Sequence, residues 1–361
     1  MPIRVGTCEE LGLDGQRVAD FYRDNWIRRI PLADYRFYKW QFRSVPSAPD
    51  IDNCMVAVDQ ASGRIAGVMG LNARRFSFQG NWWNGAELTT WIVLEEFRRT
   101  GAGARILGEI QSRFDVLIGM GISDIALPLY MRSGFRFLAG IPRFVKVIEF
   151  EHVATISSHQ PLARKLSLQW ANSTTRLPYR VVEGITSDVT TVFERASRWS
   201  NLFIRDYEHL RWRYGSHPYF KYRGFTIATP DGDTAFLCAR EETSLPQIRI
   251  LHVLDCFGDE GAISPALCFL EDFARENRFH AVDFYCTSTS INRILLATGW
   301  FSMLDDACLG FPHLFHPIEL RNPATTSLIY WSRNQFQFFC DFSRLYITKQ
   351  DCDLDRPILK S

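Results

Sequence analysis

An internal repeat constrains the fold more than any other feature of the sequence. The segment YRFYKWQF at 35–42 resembles YEHLRWRY at 207–214, and the tryptophans Trp40 and Trp212 lie 172 positions apart. Three further pairs of similar segments follow in the same order: the hairpin patterns at 54–71 and 225–240, the apolar runs at 88–97 and 248–257, and the glycine-containing segments at 130–137 and 295–302. This order predicts two copies of one structural unit along the chain.

Each copy predicts the same elements, namely two helices, a β-hairpin, and then strand, helix, strand, helix and strand. In the first copy, Ile106, Leu107, Ile110 and Phe114 have the spacing of a helix with one buried face. Both hairpin patterns are apolar runs around a turn that contains glycine. We therefore expect an α/β (α+β) protein with two tandem units, each a mixed, mostly antiparallel sheet flanked by helices.

The repeat also predicts the domain organisation. We place the first unit at 1–155 and the second at 178–345. The segment 156–177 between them contains Ser, Thr, Pro and Gln without clear periodicity, which is typical of a linker. The remaining residues, 346–361, are predicted to form a polar tail.

Three aspartates of this tail, Asp351, Asp353 and Asp355, imitate the first half of a calcium-binding loop. Arg356, however, stands where such a loop needs glycine. We therefore interpret the aspartates as solvated rather than as metal ligands.

The composition argues against several classes of protein. The 361 residues include 41 Lys and Arg and 40 Asp and Glu, so the net charge of +1 gives no electrostatic reason to expect nucleic acid or an anionic membrane as a partner. The sequence has no apolar leader and no run of ~18 apolar residues, so we expect a cytoplasmic protein without a membrane span. The nine cysteines form no CxxC pair, which favours reduced core thiols over a metal site.

The most informative motif is the stretch VLEEFRRTGAGARILGEI at 93–110, in which 98–103 fits the pattern R-x-x-G-x-G. A strand ends near Leu94 and a helix begins near Gly101. Glycines let the backbone approach a ligand, and the first N–H groups of a helix attract anions. The motif therefore predicts a pyrophosphate site to which Arg98 and Arg99 add contacts. A basic turn without a ligand is the alternative, since the motif is neither a Rossmann nor a Walker sequence.

The motif VLEEFRRTGAGARIL resembles the acyl-CoA-binding motif of the GNAT acyltransferase superfamily. Downstream, SDIALPLYMRSGFRF at 123–137 resembles a second segment of that superfamily through Ala126, Tyr130, Gly134 and Phe135. The resemblance implies acyl-CoA as a co-substrate and no metal. The positions that it assigns to acyl-CoA are Val93, Leu94, Arg98, Arg99, Thr100, Gly101, Ala102, Gly103 and Ala104.

The second copy resembles the same fold with an altered motif. The segment CFGDEGA at 256–262 lacks the arginine and places Asp259 and Glu260 where a pyrophosphate would lie, and Leu295 stands at the position of Tyr130. Like charges repel, so we expect the second unit not to bind CoA and instead to shape the acceptor pocket or to pack.

The whole chain thus resembles tandem-GNAT acyltransferases. The segment YEHLRWRYGSHPYFKYRGF further resembles members that act on nucleotide-linked amino sugars, such as dTDP-amino sugars, in bacterial surface-polysaccharide pathways. This implies transfer of an acetyl or longer acyl group, such as hydroxyacyl, to the amine of such a sugar. A peptide, amino acid or polyamine acceptor is an alternative, and a non-catalytic acyl-CoA-binding scaffold or sensor is another.

Catalytic roles follow from the needs of acyl transfer. In the superfamily, a backbone N–H near the motif's valine contacts the thioester oxygen, and the matching positions are 91–94. Tyr130 is the candidate acid that protonates the leaving thiolate, with a packing ring as the alternative. Glu87 is the candidate base, because strand alternation would place it on one face with Trp91 and Val93. A solvated hairpin residue is the alternative for Glu87.

The other candidate site residues are histidines and aromatic side chains. His217 and His252 are alternative bases, although a buried histidine is more often a core residue. Aromatic rings can form stacking walls for a sugar or a base, or they can be the core of each unit. The rings and histidines that we assign to substrate binding are Trp40, Phe42, Trp91, Tyr214, His217 and His252, with Trp212 and Tyr219 as further rings of the same kind.

Overall fold

The computed structural model describes most of the chain. The described residues are 2–26, 30–47, 51–156, 177–244, 247–303, 311, 325–334, 341–352 and 355–357. Most of the predicted linker, as well as Asp353, lies outside them.

The first of two mixed sheets contains eight strands. Its central order is β1-β2-β3-β4-β5-β15-β6, and β9 pairs with β3. All its pairings are antiparallel except that of β4 with β5. The strands are β1 Ile3–Gly6, β2 Cys54–Asp59, β3 Ile65–Phe78, β4 Asn81–Val93, β5 Val116–Met120, β6 Arg136–Leu138, β9 Leu202–Phe203 and β15 Leu328–Ser332.

The second sheet contains seven strands in the order β14-β7-β13-β12-β11-β10-β8. The pairing of β12 with β13 is parallel, and the others are antiparallel. The strands are β7 Arg143–Val147, β8 Arg180–Glu183, β10 Arg223–Ala228, β11 Thr234–Ser244, β12 Ile248–Gly258, β13 Ala281–Tyr285 and β14 Phe301–Ser302. The predicted fold class, two mixed sheets flanked by helices, is confirmed.

Three strands cross the predicted domain boundaries. β7, which precedes residue 155, lies in the second sheet between β13 and β14. β15, at 328–332, lies in the first sheet between β5 and β6, and β9, at 202–203, pairs with β3 of the same sheet. The boundaries at 155 and 178 therefore do not coincide with the two sheets, because each sheet contains strands from both halves of the sequence.

Helices cover both faces of the first sheet. α4 packs on one face through Ile106, Leu107 and Ile110, as the spacing predicted. α2 and α3 pack on the other face, and each begins at an aspartate whose side chain accepts a backbone N–H. The α-helices of the described residues are α1 Cys8–Leu11, α2 Gly15–Asn25, α3 Tyr35–Phe42, α4 Ala102–Arg113, α5 Leu127–Arg132, α6 Phe150–Val153, α7 Val189–Ala196, α8 Tyr207–Leu210, α9 Glu260–Glu276 and α10 Thr289–Ala297.

In the described part of the predicted polar tail, Asp351 and Asp355 are buried, so the interpretation of these two aspartates as solvated is wrong. Asp351 is fully buried and accepts hydrogen bonds from Arg74 Nη1 at 3.3 Å and Arg205 Nη2 at 2.7 Å. Arg74 belongs to β3 of the first sheet, whereas Arg205 follows β9. A buried arginine needs a counter-ion, and Asp351 supplies one to both.

Asp355 is buried in the same way. Its carboxylate lies 3.0 Å from Arg213 Nη2, 2.8 Å from Arg240 Nη1 and 3.1 Å from Lys349 Nζ. The tail is therefore held by Lys349 of its own segment and by two arginines from distant segments, and a local sequence pattern contains no sign of the arginines.

Two other expectations concern cysteines and membrane spans. Seven of the nine cysteines lie in described residues, and all seven are free and buried, as predicted for core thiols. Within the described residues, none of the helices combines the length and apolarity needed to traverse a bilayer.

Candidate active site

A β-bulge interrupts β4 close to its carboxyl end. Val68 of β3 pairs with Ile92 of β4, whereas Gly70 pairs with Thr89, so Met69 faces two residues of β4. Thr90 has a φ of 50°, which is uncommon for a β-branched residue. The extra residue bends β4 at this point.

The bulge reverses the alternation of side chains along β4. Ala86 and Leu88 pack in the core beneath α4, and after the bulge Trp91 and Val93 pack there as well. Glu87 therefore does not share a face with Trp91 and Val93, and the prediction from alternation is wrong. The physical reason is the one inserted residue at Thr90, which exchanges the two faces of the strand.

β4 and β5 separate just before the bulge. Among the described residues, β5 pairs with β4 only at Gly85, Ala86 and Glu87. The β4 edge from Leu88 to Val93 is therefore not paired with β5. Two of its carbonyls accept from side chains, that of Thr90 from the Tyr22 hydroxyl at 3.0 Å and that of Val93 from Arg98 Nε at 3.4 Å. No other strand of the described residues covers this edge, which leaves room beside it for an extended ligand.

A cavity of 430 Å³ lies at this separated edge. It extends from the end of β4 past Arg98 to the first turn of α4 and the segment before α5. The lining residues are Asn25, Trp26, Trp91, Ile92, Val93, Arg98, Gly101, Gly103, Ala104, Ser123, Ile125, Ala126 and Leu129. Asn25 and Trp26 at the end of α2 were not identified from the sequence, because no motif connects them to the rest.

The predicted phosphate turn forms one end of the cavity. Gly101 has a φ of 79°, a left-handed conformation that favours glycine, and it begins α4 without a side-chain cap. A Cβ at Gly103 would lie 3.0 Å from Trp91 Cζ2, so glycine allows the indole to lie against the helix. The first N–H groups of α4 thus remain available to an anion.

The predicted CoA residues divide into two groups. Val93, Arg98, Gly101, Gly103 and Ala104 line the cavity. The others do not line it. Ala102 is buried in the core, whereas Arg99 is exposed. The Thr100 hydroxyl donates to the Phe97 carbonyl at 2.7 Å. The backbone N–H of Leu94 donates to the Ala66 carbonyl at 2.9 Å.

Tyr130 is buried beside the cavity. Its ring centroid lies 5.2 Å from that of Trp91, which lines the cavity, and 5.1 Å from that of Phe135. Burial raises the pKa of the Tyr130 hydroxyl above its usual value, and the charge of Glu87 adds to this shift. The phenol therefore keeps its proton throughout the neutral pH range.

Glu87 belongs to a buried chain of polar side chains on the opposite face of the sheet. Asn72 Nδ2 donates to Glu87 Oε2, and Gln41 Nε2 donates to Asn72 Oδ1 at 3.3 Å. Arg356 Nε in turn donates to Gln41 Oε1 at 3.1 Å. Glu87 is only 1% exposed, so it is not the solvated hairpin residue that was the alternative. Asn72 and Gln41 were missed, although both are polar residues within apolar segments.

Several predicted substrate rings instead pack between the two halves of the chain. The rings of Trp40 and Trp212 stack at 5.2 Å, and the ring of His217 lies 4.6 Å from that of Trp40. His217 Nδ1 accepts the backbone N–H groups of Tyr219 and Phe220. None of these side chains lines the cavity.

The remaining predicted substrate residues lie in packed interiors. Phe42 is fully buried. Its ring packs against Gly70 so closely that a Cβ on residue 70 would lie 2.5 Å from Phe42 Cζ. Tyr214 is buried in the core of the second sheet, and burial raises the pKa of its hydroxyl. His252 is fully buried with its Nδ1 2.6 Å from Asp283 Oδ1. Of the predicted substrate residues, only Trp91 lines the cavity.

The second sheet has a different structure at the position of the phosphate turn. Asp259 precedes α9, and its Oδ2 accepts from Arg195 Nη1 at 3.0 Å and from Thr234 N at 2.9 Å. A Cβ at Gly261 would collide with the Asp233 carboxylate. Acidic side chains therefore occupy this turn.

Comparisons with known proteins bear on the fold. No family model matches the chain, and no curated protein matches its sequence. A GCN5-related N-acetyltransferase from Anabaena variabilis is similar in structure, with a TM-score of 0.55 and 11% identity over 91% of this chain and 72% of that one. A probable N-acyltransferase from Enterococcus faecalis has a TM-score of 0.55 and 9% identity over 94% and 74% of the two chains.

A third similar structure is Saccharomyces cerevisiae N-myristoyltransferase with bound myristoyl-CoA. Its TM-score is 0.51, with 9% identity over 92% of this chain and 80% of that one. At such low identity the similarity shows the fold, which is that of GNAT-type acyltransferases.

Proposed function

We propose that this protein is an acyl-CoA-dependent N-acyltransferase and that acyl-CoA lies in the cavity at the end of β4. One observation carries the proposal: the β4 edge that β5 leaves unpaired, the uncapped first turn of α4 and Arg98 meet at a single cavity. The helix N-terminus and Arg98 suit a pyrophosphate. An extended pantetheine chain would pair with peptide groups of this β4 edge as an added strand does.

The fold agrees with this proposal. The similar structures include N-acyltransferases, and the yeast enzyme was solved with myristoyl-CoA bound. We assign the acyl-CoA site to the first sheet alone, because acidic residues occupy the corresponding turn before α9.

The proposed reaction has a simple balance. A C–N bond forms between the acceptor nitrogen and the acyl carbon, the C–S bond breaks, and the amine proton is lost while the thiolate gains one. Tyr130 would donate to the thiolate, because burial keeps its phenol protonated. Glu87 faces away from the cavity and is 1% exposed, so it would accept the amine proton through a water molecule and not directly. A backbone N–H at 91–94 would polarise the thioester oxygen.

For the acceptor we propose the amine of a nucleotide-linked amino sugar of the dTDP type. The support is the resemblance of the segment 207–225, not the cavity itself. A peptide, amino acid or polyamine amine is the alternative acceptor. A scaffold or sensor that binds acyl-CoA without turnover is the alternative of another class.

The test measures thiol release from acyl-CoA. Acetyl-CoA, longer acyl-CoA and 3-hydroxyacyl-CoA are each incubated with dTDP-amino sugars, peptides, amino acids and polyamines, and the products are identified by mass. We expect release that depends on an amino sugar. Release with another amine alone would overturn the sugar assignment. Acyl-CoA binding without release from any amine would overturn the enzymatic function and favour the sensor.

A further inference from the structure

The buried tail reaches the β4 bulge through the guanidinium of Arg356. Arg356 Nη2 donates to Thr89 Oγ1 at 3.0 Å, and Arg356 Nη1 donates to Thr90 Oγ1. Its Nε donates to Gln41 Oε1 of α3 at 3.1 Å. One side chain from the end of the chain thus joins both threonines of the bulge to a helix.

Thr90 needs external support to keep its conformation. A φ of 50° is unfavourable for a β-branched residue, and such backbone persists only where the surroundings fix it. Besides Arg356, the Tyr22 hydroxyl of α2 donates to the Thr90 carbonyl at 3.0 Å. The bulge is therefore fixed from α2 and from the tail.

Arg356 is itself held by the second half of the chain. The preceding residue, Asp355, pairs with Arg213, Arg240 and Lys349. Its carboxylate is fully buried, so the tail cannot shift without separating charges in the interior. The position of the guanidinium is thus set by residues far from β4 in sequence.

The bulge in turn determines which side chains line the cavity. Trp91 and Val93, which follow Thr90, face α4 only because of the inserted residue. If Thr90 returned to a regular extended conformation, the alternation would be restored and both side chains would turn to the other face. The groove on the α4 side of β4 would then lose its wall.

We propose that Arg356 is a positioning residue that keeps the acyl-CoA groove in its binding shape by fixing the bulge at Thr90. This inference rests on the proposed acyl-CoA function. Arg356 acts on the side chains of Thr89 and Thr90, and none of these three residues lines the cavity.

The test compares two ligands by calorimetry in the full-length protein. Acetyl-CoA uses the β4 edge and the phosphate turn, whereas adenosine 3′,5′-bisphosphate lacks the pantetheine. We expect Arg356→Gln to weaken acetyl-CoA binding by at least about tenfold and to change binding of the bisphosphate less than about twofold. The control is Arg223→Gln, which removes an exposed arginine paired with Glu183 and should change neither affinity.

A second variant separates positioning from general stability. Glycine adopts a positive φ without support, so Thr90→Gly in the Arg356→Gln background should restore acetyl-CoA affinity to within about threefold of the wild type. Unchanged acetyl-CoA affinity in Arg356→Gln would overturn the inference. The inference would also be overturned if Arg356→Gln lost affinity for both ligands equally and Thr90→Gly did not restore it, because Arg356 would then only support folding. A wild-type protein that binds no acetyl-CoA would overturn the proposed function first, and the inference with it.

Discussion

Trp40 and Trp212 bind each other reciprocally. Trp212 Nε1 donates to the Trp40 carbonyl at 3.0 Å, Trp40 Nε1 donates to the Trp212 carbonyl at 3.4 Å, and the two rings stack with 25° between their planes. Such reciprocity is typical of contacts across a two-fold axis. Here it joins the two positions that the predicted repeat pairs, one from each half of the chain.

Removing one indole N–H should weaken this interface. Trp212→Phe leaves the Trp40 carbonyl without its donor in a buried position, so we expect the free energy of unfolding to fall by about 1–2 kcal/mol in urea titrations. The control is Trp82→Phe, since Trp82 is 44% exposed. Equal stability of the two variants would contradict the importance of the reciprocal contact.

A carboxylate in the first turn of α4 should repel the pyrophosphate of acyl-CoA. Ala104 lines the cavity and is exposed. Ala104→Asp should weaken acetyl-CoA binding by at least about tenfold through like-charge repulsion, while the helix dipole preserves stability. Gly108→Asp, in the same helix at a position open to solvent, is the matched control. Equal affinities in the two variants would contradict the placement of the pyrophosphate.

The phenol of Tyr130 should matter for turnover more than for binding. Tyr130→Phe removes the proposed donor to the thiolate, so we expect kcat to fall by about 10²-fold with little change in the Kd for acyl-CoA. Because burial raises the pKa of Tyr130, the wild-type kcat should show no alkaline decline at the usual tyrosine pKa of about 10. The control is Tyr179→Phe, whose hydroxyl donates to Asp272. A large change in Kd with unchanged kcat would assign Tyr130 to packing.

Glu87 should matter for turnover more than for acyl-CoA binding. Glu87→Gln removes the proposed base, so we expect kcat to fall by about 10²-fold. Acyl-CoA affinity should stay unchanged, because Glu87 faces away from the cavity. Glu96→Gln, which alters an exposed glutamate paired with Arg64, is the control. An unchanged kcat in Glu87→Gln would show that another group accepts the proton.

The tail should stabilise the protein in a pH-dependent way. Burial alone would raise the pKa of Asp355, but the charges of Arg240, Lys349 and Arg213 hold it well below its usual value. Its stabilisation is therefore complete above the usual aspartate pKa of about 3.9 and is lost as the pH falls below it.

Asp355→Asn should then lower the free energy of unfolding by about 3–5 kcal/mol at pH 7, and the difference from wild type should shrink as the pH falls below about 4. Urea titrations between pH 3 and pH 7 measure this, with Asp231→Asn in an exposed turn as the control. A difference independent of pH would contradict the ionic role of Asp355.

Local patterns in the sequence predicted much of the fold. The helical spacing at 106–110 and the glycine turn at 101–103 depend on neighbouring residues only, and the structure has both. The cavity wall at Val93 and Arg98 followed from the same motif. These features could be predicted because their physical causes lie within a few residues.

Other features depend on residues distant in sequence. The alternation along β4 gave no sign of the bulge at Thr90, because its support comes from Tyr22 and Arg356. The aspartates of the tail were assigned to solvent, because their counter-ions lie in segments that only the folded chain brings together. The placement of β7, β9 and β15 in the sheet of the other half was missed as well, since an apolar strand has the same pattern in either sheet.

The placement of β15 in the first sheet has a consequence for synthesis on the ribosome. The first sheet lacks a strand between β5 and β6 until residues 328–332 have emerged. Until then, β5 presents an unpaired edge, which is a known hazard for aggregation. The first sheet must therefore wait for almost the whole chain, and a fragment ending near residue 155 would expose the same edge permanently.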